Sequence, residues 1–588
     1  MINKTLALTL LTTSITACGG GGSSADGGTP DAQQGILAGL VGVKYTTETQ
    51  SGVIGTAGEF QYLVDESLTL SIGNTALGQL PAAANVSLSG LFTDLPDTAK
   101  SIRTALRMPE YTRMGIKTTH GARVTQGSYN ALHKASNLMQ LLLALDNNHD
   151  ASDGIDITGN TAAVSDLSIN FDASLFEFAN STPLKVFQHT SNISLGMEVS
   201  KPLSEVYKLM DITLSAPRRT AHVGADNRDQ TYTYNSLGQL TQQEEQQSSD
   251  SISRYSYSYD ETSALQLSKE YTSEPFGDTS REAYKENTIY SYNNFGLQKT
   301  KTKEIFVYGD TSTVESRRLT SKSYLDNKVF IAINRNQEDD NADGTSNYSA
   351  SIRNEYNDSW KITVDKTYSA ATPEEEIFEY GSTYSYSDDG TLKESLYENT
   401  NSNSANQTIY SEIKTAQKIE RSLKSISSRV GDEDTKKNIT EVFSINGQLL
   451  SKQTRYLDAN DNITRETNIT YGYDTNGRVD SCQYDQGSQG TSITKRNFTY
   501  SDAGLESYIT SNYSDGEDTA YSVETNSMSY GNNGEILTDK DGNTYRYGEP
   551  VANAISYLVN EYMIDWGYAE YDRTMRVLFY AQGDKCSP

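Results

Sequence analysis

The chain has 588 residues, a formal net charge of −28, 35% apolar residues, 40 Tyr, 43 Gly and only 11 Pro. That length predicts two or three domains. The acidic balance, without Lys/Arg clusters to meet phosphates, excludes nucleic acid as a partner. So much Tyr and Gly is strand-and-turn composition and argues against disorder. The charge reads first as a solvated, self-repelling surface and second as divalent-cation binding.

Residues 1–17 read as a secretory leader. Lys4 is a minimal positive start, and Thr5 to Ala17 is apolar and small but too short to span a membrane, which takes about 20 residues. Ile15-Thr16-Ala17-Cys18 resembles the lipobox of bacterial lipoproteins. The resemblance implies lipidation of the Cys18 sulfur, cleavage before it, and acyl chains holding the protein on a membrane. Gly19 follows, with no Asp to retain the protein at the inner membrane, so the outer membrane is the expected address, on its periplasmic or external side. Residues 18–35 are a Gly/Ser/Asp-rich flexible linker.

Residues 36–95 read as a small β module. Val41, Val43 and Tyr45 alternate, Gly52 and Gly58 punctuate turns, and Glu59–Tyr62 and Leu68–Ile72 continue the pattern. The runs Tyr45–Val53 and Gly58–Tyr62 resemble an N-terminal module of uncharacterised proteobacterial envelope lipoproteins, which implies a sandwich-like domain and no known activity. Residues 96–216 are mainly helical or mixed. Leu132, Ala135, Leu138, Leu142 and Leu145 recur at helical spacing within Tyr129–Leu145, and Pro202–Met210 is a short helix. Asp146, Asn148, Asp150 and Asp153 follow the longer helix and resemble a calcium loop. Gly154 comes at the ninth position, and Ile157 stands where a bidentate Glu belongs. An Asx-rich turn is therefore the first reading and Ca2+ the second.

Residues 228–548 repeat one plan. Tyr471-Gly-Tyr473-Asp474-Thr-Asn-Gly477-Arg-Val479 is the clearest copy, and variants end at Tyr234, Tyr259, Tyr292, Tyr386, Tyr500 and Tyr530. Weaker copies fall at Tyr324, Tyr356 and Phe443. Residues two apart in a strand share a face, so each tyrosine pair points one way. Asn or Asp starts the turn, and Gly supplies the positive φ of a type I turn with a bulge. Clear neighbouring copies lie about 25 to 33 residues apart, enough for two strands and their connections.

This pattern resembles the tyrosine–aspartate (YD) repeats of bacterial RHS proteins, with a longer period and without the RHS core boundary motif or a variable toxin module. The resemblance implies a shell of strand–turn–strand units that presents or encloses a ligand. The expected fold is thus mainly β: a repetitive antiparallel hairpin or meander domain, YD-shell-like or an extended sheet, preceded by a small mixed β+α domain. Residues 549–588 are more apolar and are expected to cover the final sheet edge. Cys482 and Cys586 remain after lipidation and form a candidate disulfide.

No nucleophile–base pair, phosphate loop or His metal cluster is recognisable, and all five histidines precede the repeats. With 77 Asp and Glu residues, chance explains any carboxylate pair, so no catalytic residue is nominated. The tyrosine rows read first as cross-strand pairs. The second reading makes Tyr232, Tyr290, Tyr384 and Tyr471 a stacking platform for sugars or peptides. The expected function is a non-catalytic, lipid-anchored envelope protein that binds glycan or protein. The alternatives are an envelope scaffold without a small ligand, or a carboxylate-based carbohydrate-active enzyme.

Overall fold

The computed structural model describes residues 31–113 and 130–565, apart from the short stretches 167, 174, 176–177, 197, 199, 225–228, 249–250, 261–264, 276–282, 346–347, 371–376, 389–390, 430–433, 488–491 and 515–516. The lipobox with Cys18, Cys586 and everything after Asp565 lie outside the described residues.

The N-terminal domain pairs Gln33–Ala38 with Glu59–Tyr62 and Asn85–Ser87, and builds a second sheet from Ser51–Val53, Lys44–Thr46, Ser67–Ile72 and Thr75–Pro81. Ordered structure thus begins inside the stretch read as a linker. Five helices are described: α1 (Ala99–Arg113), α2 (Ala131–Leu145), α3 (Thr182–Ser191), α4 (Ser200–Leu209) and α5 (Ile555–Asp565). Helix α2 is buried along nearly its whole length, because Leu and Met occupy several of its faces and not one stripe. It shares one core with Leu37, Leu40, Phe60, Leu68 and Leu70, so the division drawn at residue 95 runs through a single packed unit.

Twenty-five strands from Ser215–Val223 to Thr544–Ala552 follow one another antiparallel and close into a ring. Ser522–Ser527 and Ser529–Tyr530 are two parts of a strand interrupted at Met528. Closure corrects two expectations. Thr544–Ala552 pairs with Ser215–Val223 over the latter's whole length, so no final edge is left for residues 549–588 to cover. The ring also takes in Ser215–Val223, ahead of the start at residue 228 that the sequence predicts for the repeats.

The turns form as their residues dictate. Asp474 Oδ1 accepts from the backbone N–H of Asn476 and Arg478, Gly477 takes φ +78°, and the register slips by one residue at Tyr473. The same slip recurs at Tyr234, Tyr292, Tyr324, Tyr356, Tyr386, Phe443, Tyr500 and Tyr530. All these tight turns lie at one end of the ring. The hairpin Ser404–Lys414/Lys418–Arg429 departs from the plan: its register has no slip and no tyrosine ends its first strand.

Bending a sheet into a ring crowds its concave face, so burial distinguishes the two faces. In Thr435–Ser444 and Gly504–Ser514 the buried positions alternate and fall on the face of the tyrosine pairs, which is therefore the inner face. Many strands are half-exposed on both sides, as Gln298–Phe306 and Leu392–Asn399 show, which marks a single layer of sheet.

Candidate functional site

The second tyrosine of each repeat has a structural task. Nine of them, Tyr259, Tyr292, Tyr324, Tyr356, Tyr386, Tyr473, Tyr500, Tyr530 and Tyr547, donate their hydroxyl to a backbone carbonyl at 2.6–3.1 Å. The acceptor is each time the residue paired with the second aromatic of the preceding hairpin: Leu240 opposite Tyr234, Gln266 opposite Tyr259, Leu449 opposite Phe443. The hydroxyls thus stitch successive hairpins along the tight-turn end.

The first tyrosines do not make an open platform. Tyr232 and Tyr290 are buried, and Tyr232 donates to Gln230 Oε1 at 2.7 Å. Burial, with Glu441 adding to it, raises the pKa of Tyr471. Tyr384 is half-buried. The stacking proposed for these residues therefore moves elsewhere.

A row of four other tyrosines occupies the inner face nearer the opposite end. Ring centroids lie 4.8 Å apart for Tyr255–Tyr271, 6.0 Å for Tyr271–Tyr284 and 5.7 Å for Tyr284–Tyr308. Tyr271 pairs directly with Tyr255, and Tyr308 stands 60% exposed at the end of the row. Glu286 accepts from the Tyr284 hydroxyl and pairs with Lys303 at 2.8 Å. Burial, followed by that carboxylate, raises the Tyr284 pKa. Rings beside a carboxylate and an ammonium can stack on a sugar or aromatic group and hydrogen-bond its polar edge. Sequence reasoning missed this row. Tyr255 is visible in Tyr255-Ser-Tyr257-Ser-Tyr259, but its pairing with Tyr271 depends on the register across residues 260–265.

The tight-turn end is capped by the N-terminal domain and α5. Arg103 of α1 donates to Glu561 of α5 at 2.9 Å, to the Asn533 carbonyl at 2.9 Å and to the Pro217 carbonyl at 3.2 Å. Arg219 lies 3.6 Å from the same carboxylate, and all three charged side chains are buried. Burial alone would raise the Glu561 pKa; the guanidiniums of Arg103, Arg219 and Arg107 hold it below the usual carboxylate range. On another arc of the end, His189 of α3 packs on Trp360 at 4.2 Å, and Trp360 stacks on Phe330 at 4.6 Å. Lys328 Nζ donates to the His189 carbonyl.

The candidate calcium loop is closed by its own backbone. Asp146 is buried and accepts from the N–H groups of Asp150 and Asp156, Asn148 accepts from Asp150, and Asp150 accepts from Ser152. Asp153 Oδ2 accepts from the Asn148 amide. This is the geometry of an Asx-rich turn. Among the described residues no three His, Cys, Asp or Glu side chains converge on a metal position. Cys482 is buried on the inner face and is disulfide-bonded to a cysteine outside the described residues.

The outward face carries both ion pairs and exposed apolar side chains such as Ile289, Ile409 and Ile509. Glu244–Arg254, Glu270–Lys285, Glu304–Arg317 and Arg455–Glu466 form ion pairs on it at 2.8–3.1 Å. A lipid-embedded barrel needs an apolar outer band about 25 Å tall there.

No family model matches the chain, and no curated protein matches it. Among solved structures, a porin-like protein from Bacteroides vulgatus ATCC 8482 is similar at 11% identity over 46% of this chain and 95% of that one, with a TM-score of 0.16. A porin-like protein from Bacteroides uniformis ATCC 8492 is similar at 9% identity over 56% and 95%, also with a TM-score of 0.16. Scores this low carry no argument about the present chain.

Proposed function

We propose that this is a non-catalytic envelope protein, tethered to the outer membrane through lipid on Cys18, whose ring stands in water and binds a glycan. The observation that carries the binding reading is the row Tyr255–Tyr271–Tyr284–Tyr308, with Glu286 and Lys303 beside it. The charged outer face supports a ring held at a membrane by a tether and not embedded in it. The described cap lies on the tight-turn end, and Tyr308 stands toward the opposite end, so the row faces away from the cap.

The test is a glycan array probed with the full chain and with Tyr271→Ala and Tyr308→Ala. Binding by the wild type that falls at least tenfold in both variants supports the reading; equal binding by the variants sinks it. For the tether, Cys18→Ser should leave the membrane fraction, and continued partitioning with membranes removes the lipid anchor.

A second reading, an envelope scaffold that contacts another protein, is favoured by one observation. Leu396, Ile409, Ile413 and Ile426 are exposed on the outer face in and beside the hairpin that lacks the repeat. A wild-type chain that binds no glycan on the array would favour this reading.

A further inference from the structure

We propose that the glycan met by the tyrosine row is an acidic one, a polysaccharide carrying carboxylate or sulfate groups, and that Lys269, Lys303 and Arg318 on the inner face read its charge. The inference rests on the glycan reading above and names the class of glycan.

The register of the sheet assembles these cations. Tyr257, Lys269, Thr288, Lys303, Arg318 and Glu338 are successive cross-strand partners, one from each of the six strands between Ser251–Tyr259 and Ile331–Asp339. Tyr255, Tyr271 and Glu286 form the next rung along the same strands. Residues two apart in a strand share a face, so both rungs lie on the inner face. Neighbouring strands are about 4.8 Å apart, so Lys269 to Arg318 covers roughly 14 Å of wall beside the aromatic row. That span suits an extended chain with several negative groups and not a single ion.

The sign of this wall runs against the rest of the molecule. Acidic residues outnumber basic ones 77 to 49 in the whole chain. At the regularly paired inner positions of these six strands, Lys269, Lys301, Lys303, Arg318 and Lys322 face only the carboxylates of Glu286 and Glu338. On the outer face of the same strands acids and bases match in pairs, Glu270 with Lys285 and Glu304 with Arg317.

The inner cations are also loosely held. Lys269 Nζ lies 4.7 Å from the centre of the Tyr255 ring and 6.0 Å from that of Tyr257. Lys303 meets Glu286 at 2.8 Å with its side chain 34% exposed, and Arg318 meets Glu338 at 3.4 Å with its side chain 60% exposed. Ion pairs open to water contribute little, so either cation can turn to a ligand's anion at small cost. The two carboxylates favour a glycan over a nucleic acid. They can accept from sugar hydroxyls between acidic groups, whereas a strand with a phosphate at every nucleotide would be repelled by them.

The experiment titrates the full chain with two matched pairs of polymers: polygalacturonate with its neutral methyl ester, and dextran sulfate with dextran. The charged member of at least one pair should bind at least tenfold tighter than its neutral counterpart and should weaken as salt rises from about 50 to about 200 mM. Lys303→Gln and Arg318→Gln should each lower that affinity at least threefold, and Glu338→Gln should raise it. Arg317→Gln makes the same charge change on the outer face and should leave it within about twofold. Equal binding within both pairs, or equal losses in Arg317→Gln and Arg318→Gln, would overturn the proposal. So would single-stranded DNA that binds more tightly than either acidic polymer. The failures are separable. Neutral glycans bound on the array and lost in Tyr271→Ala and Tyr308→Ala would sink this inference alone, whereas a chain that binds no glycan removes the reading beneath it as well.

Discussion

The hydroxyl of Tyr473 donates to the backbone carbonyl of Leu449, 24 residues earlier, at 2.8 Å. Leu449 is the partner of Phe443 across the preceding hairpin, so the bond ties one turn to the turn before it. A typical intramolecular hydrogen bond contributes about 0.5–1.5 kcal/mol net, more where its loss leaves a buried acceptor unmet. Tyr473→Phe keeps the ring and removes only the donor. Denaturant unfolding should show a loss of about 1 kcal/mol for each such variant, with Tyr324→Phe and Tyr500→Phe behaving alike. A loss below about 0.3 kcal/mol at all three sites would mean that ring packing alone holds the hairpins together.

Trp360 occupies the place that Gly holds in other repeats. It has φ +60°, where Gly238, Gly296 and Gly477 have +79°, +71° and +78°. A left-handed backbone costs a residue with a β-carbon about 1–2 kcal/mol. That strain persists because the indole packs between Phe330 and His189, joining the ring to α3. Trp360→Gly should relieve the strain and lose the contact. The expected result is a net loss of about 1–2 kcal/mol, with faster amide exchange in α3 than in α2. An α3 with unaltered exchange would mean that the contact does not hold the cap.

The same contact should be sensitive to acid. Burial lowers the His189 pKa below its ordinary 6.5, Lys328 lowers it further, and Asp326 opposes both. The folded form therefore takes up a proton less readily than the unfolded chain. Stability is full above about pH 6.5 and is lost as pH falls from there toward the folded value. His222, also lowered by burial and by Arg219, acts in the same direction. Trp fluorescence followed from pH 7.5 to 5 should show the contact loosening, and His189→Gln should flatten the change. An equally steep profile in His189→Gln would assign the effect to His222.

The repeat was legible because its instructions are local. Asp474 and Gly477 specify a turn within a few residues, and the Tyr473 spacing marks one face. The row Tyr255–Tyr271–Tyr284–Tyr308 was not legible, because Tyr255 meets Tyr271, and Tyr271 meets Tyr284, only through pairings that connecting loops decide. Ring closure was hidden for another reason. Pro217 argues against an interior strand, yet it pairs with Pro550 beside a register slip, where neither missing N–H breaks a regular ladder. The buried charges of the cap were beyond reach, since Arg103 and Glu561 are 458 positions apart.

Those charges make the cap the place where one atom matters most. Glu561 faces Arg103 at 2.8 Å and Arg219 at 3.6 Å, and all three side chains are buried. Removing one partner of a buried ion pair costs about 3–5 kcal/mol, because the remaining charge is left without an opposite. Glu561→Gln keeps the shape and leaves both guanidiniums facing a neutral amide, with Glu535, 3.9 Å from Arg103, as the remaining nearby carboxylate. Since α1, α5 and the closing strand Ser215–Val223 all meet here, the loss should appear first as protease cleavage around α5, before the hairpin strands unfold. Arg103→Met paired with Glu561→Gln should recover part of the stability, because one uncompensated charge is gone. If the double variant is no more stable than Glu561→Gln alone, the Asn533 and Pro217 carbonyls are sufficient partners for the Arg103 guanidinium without the carboxylate.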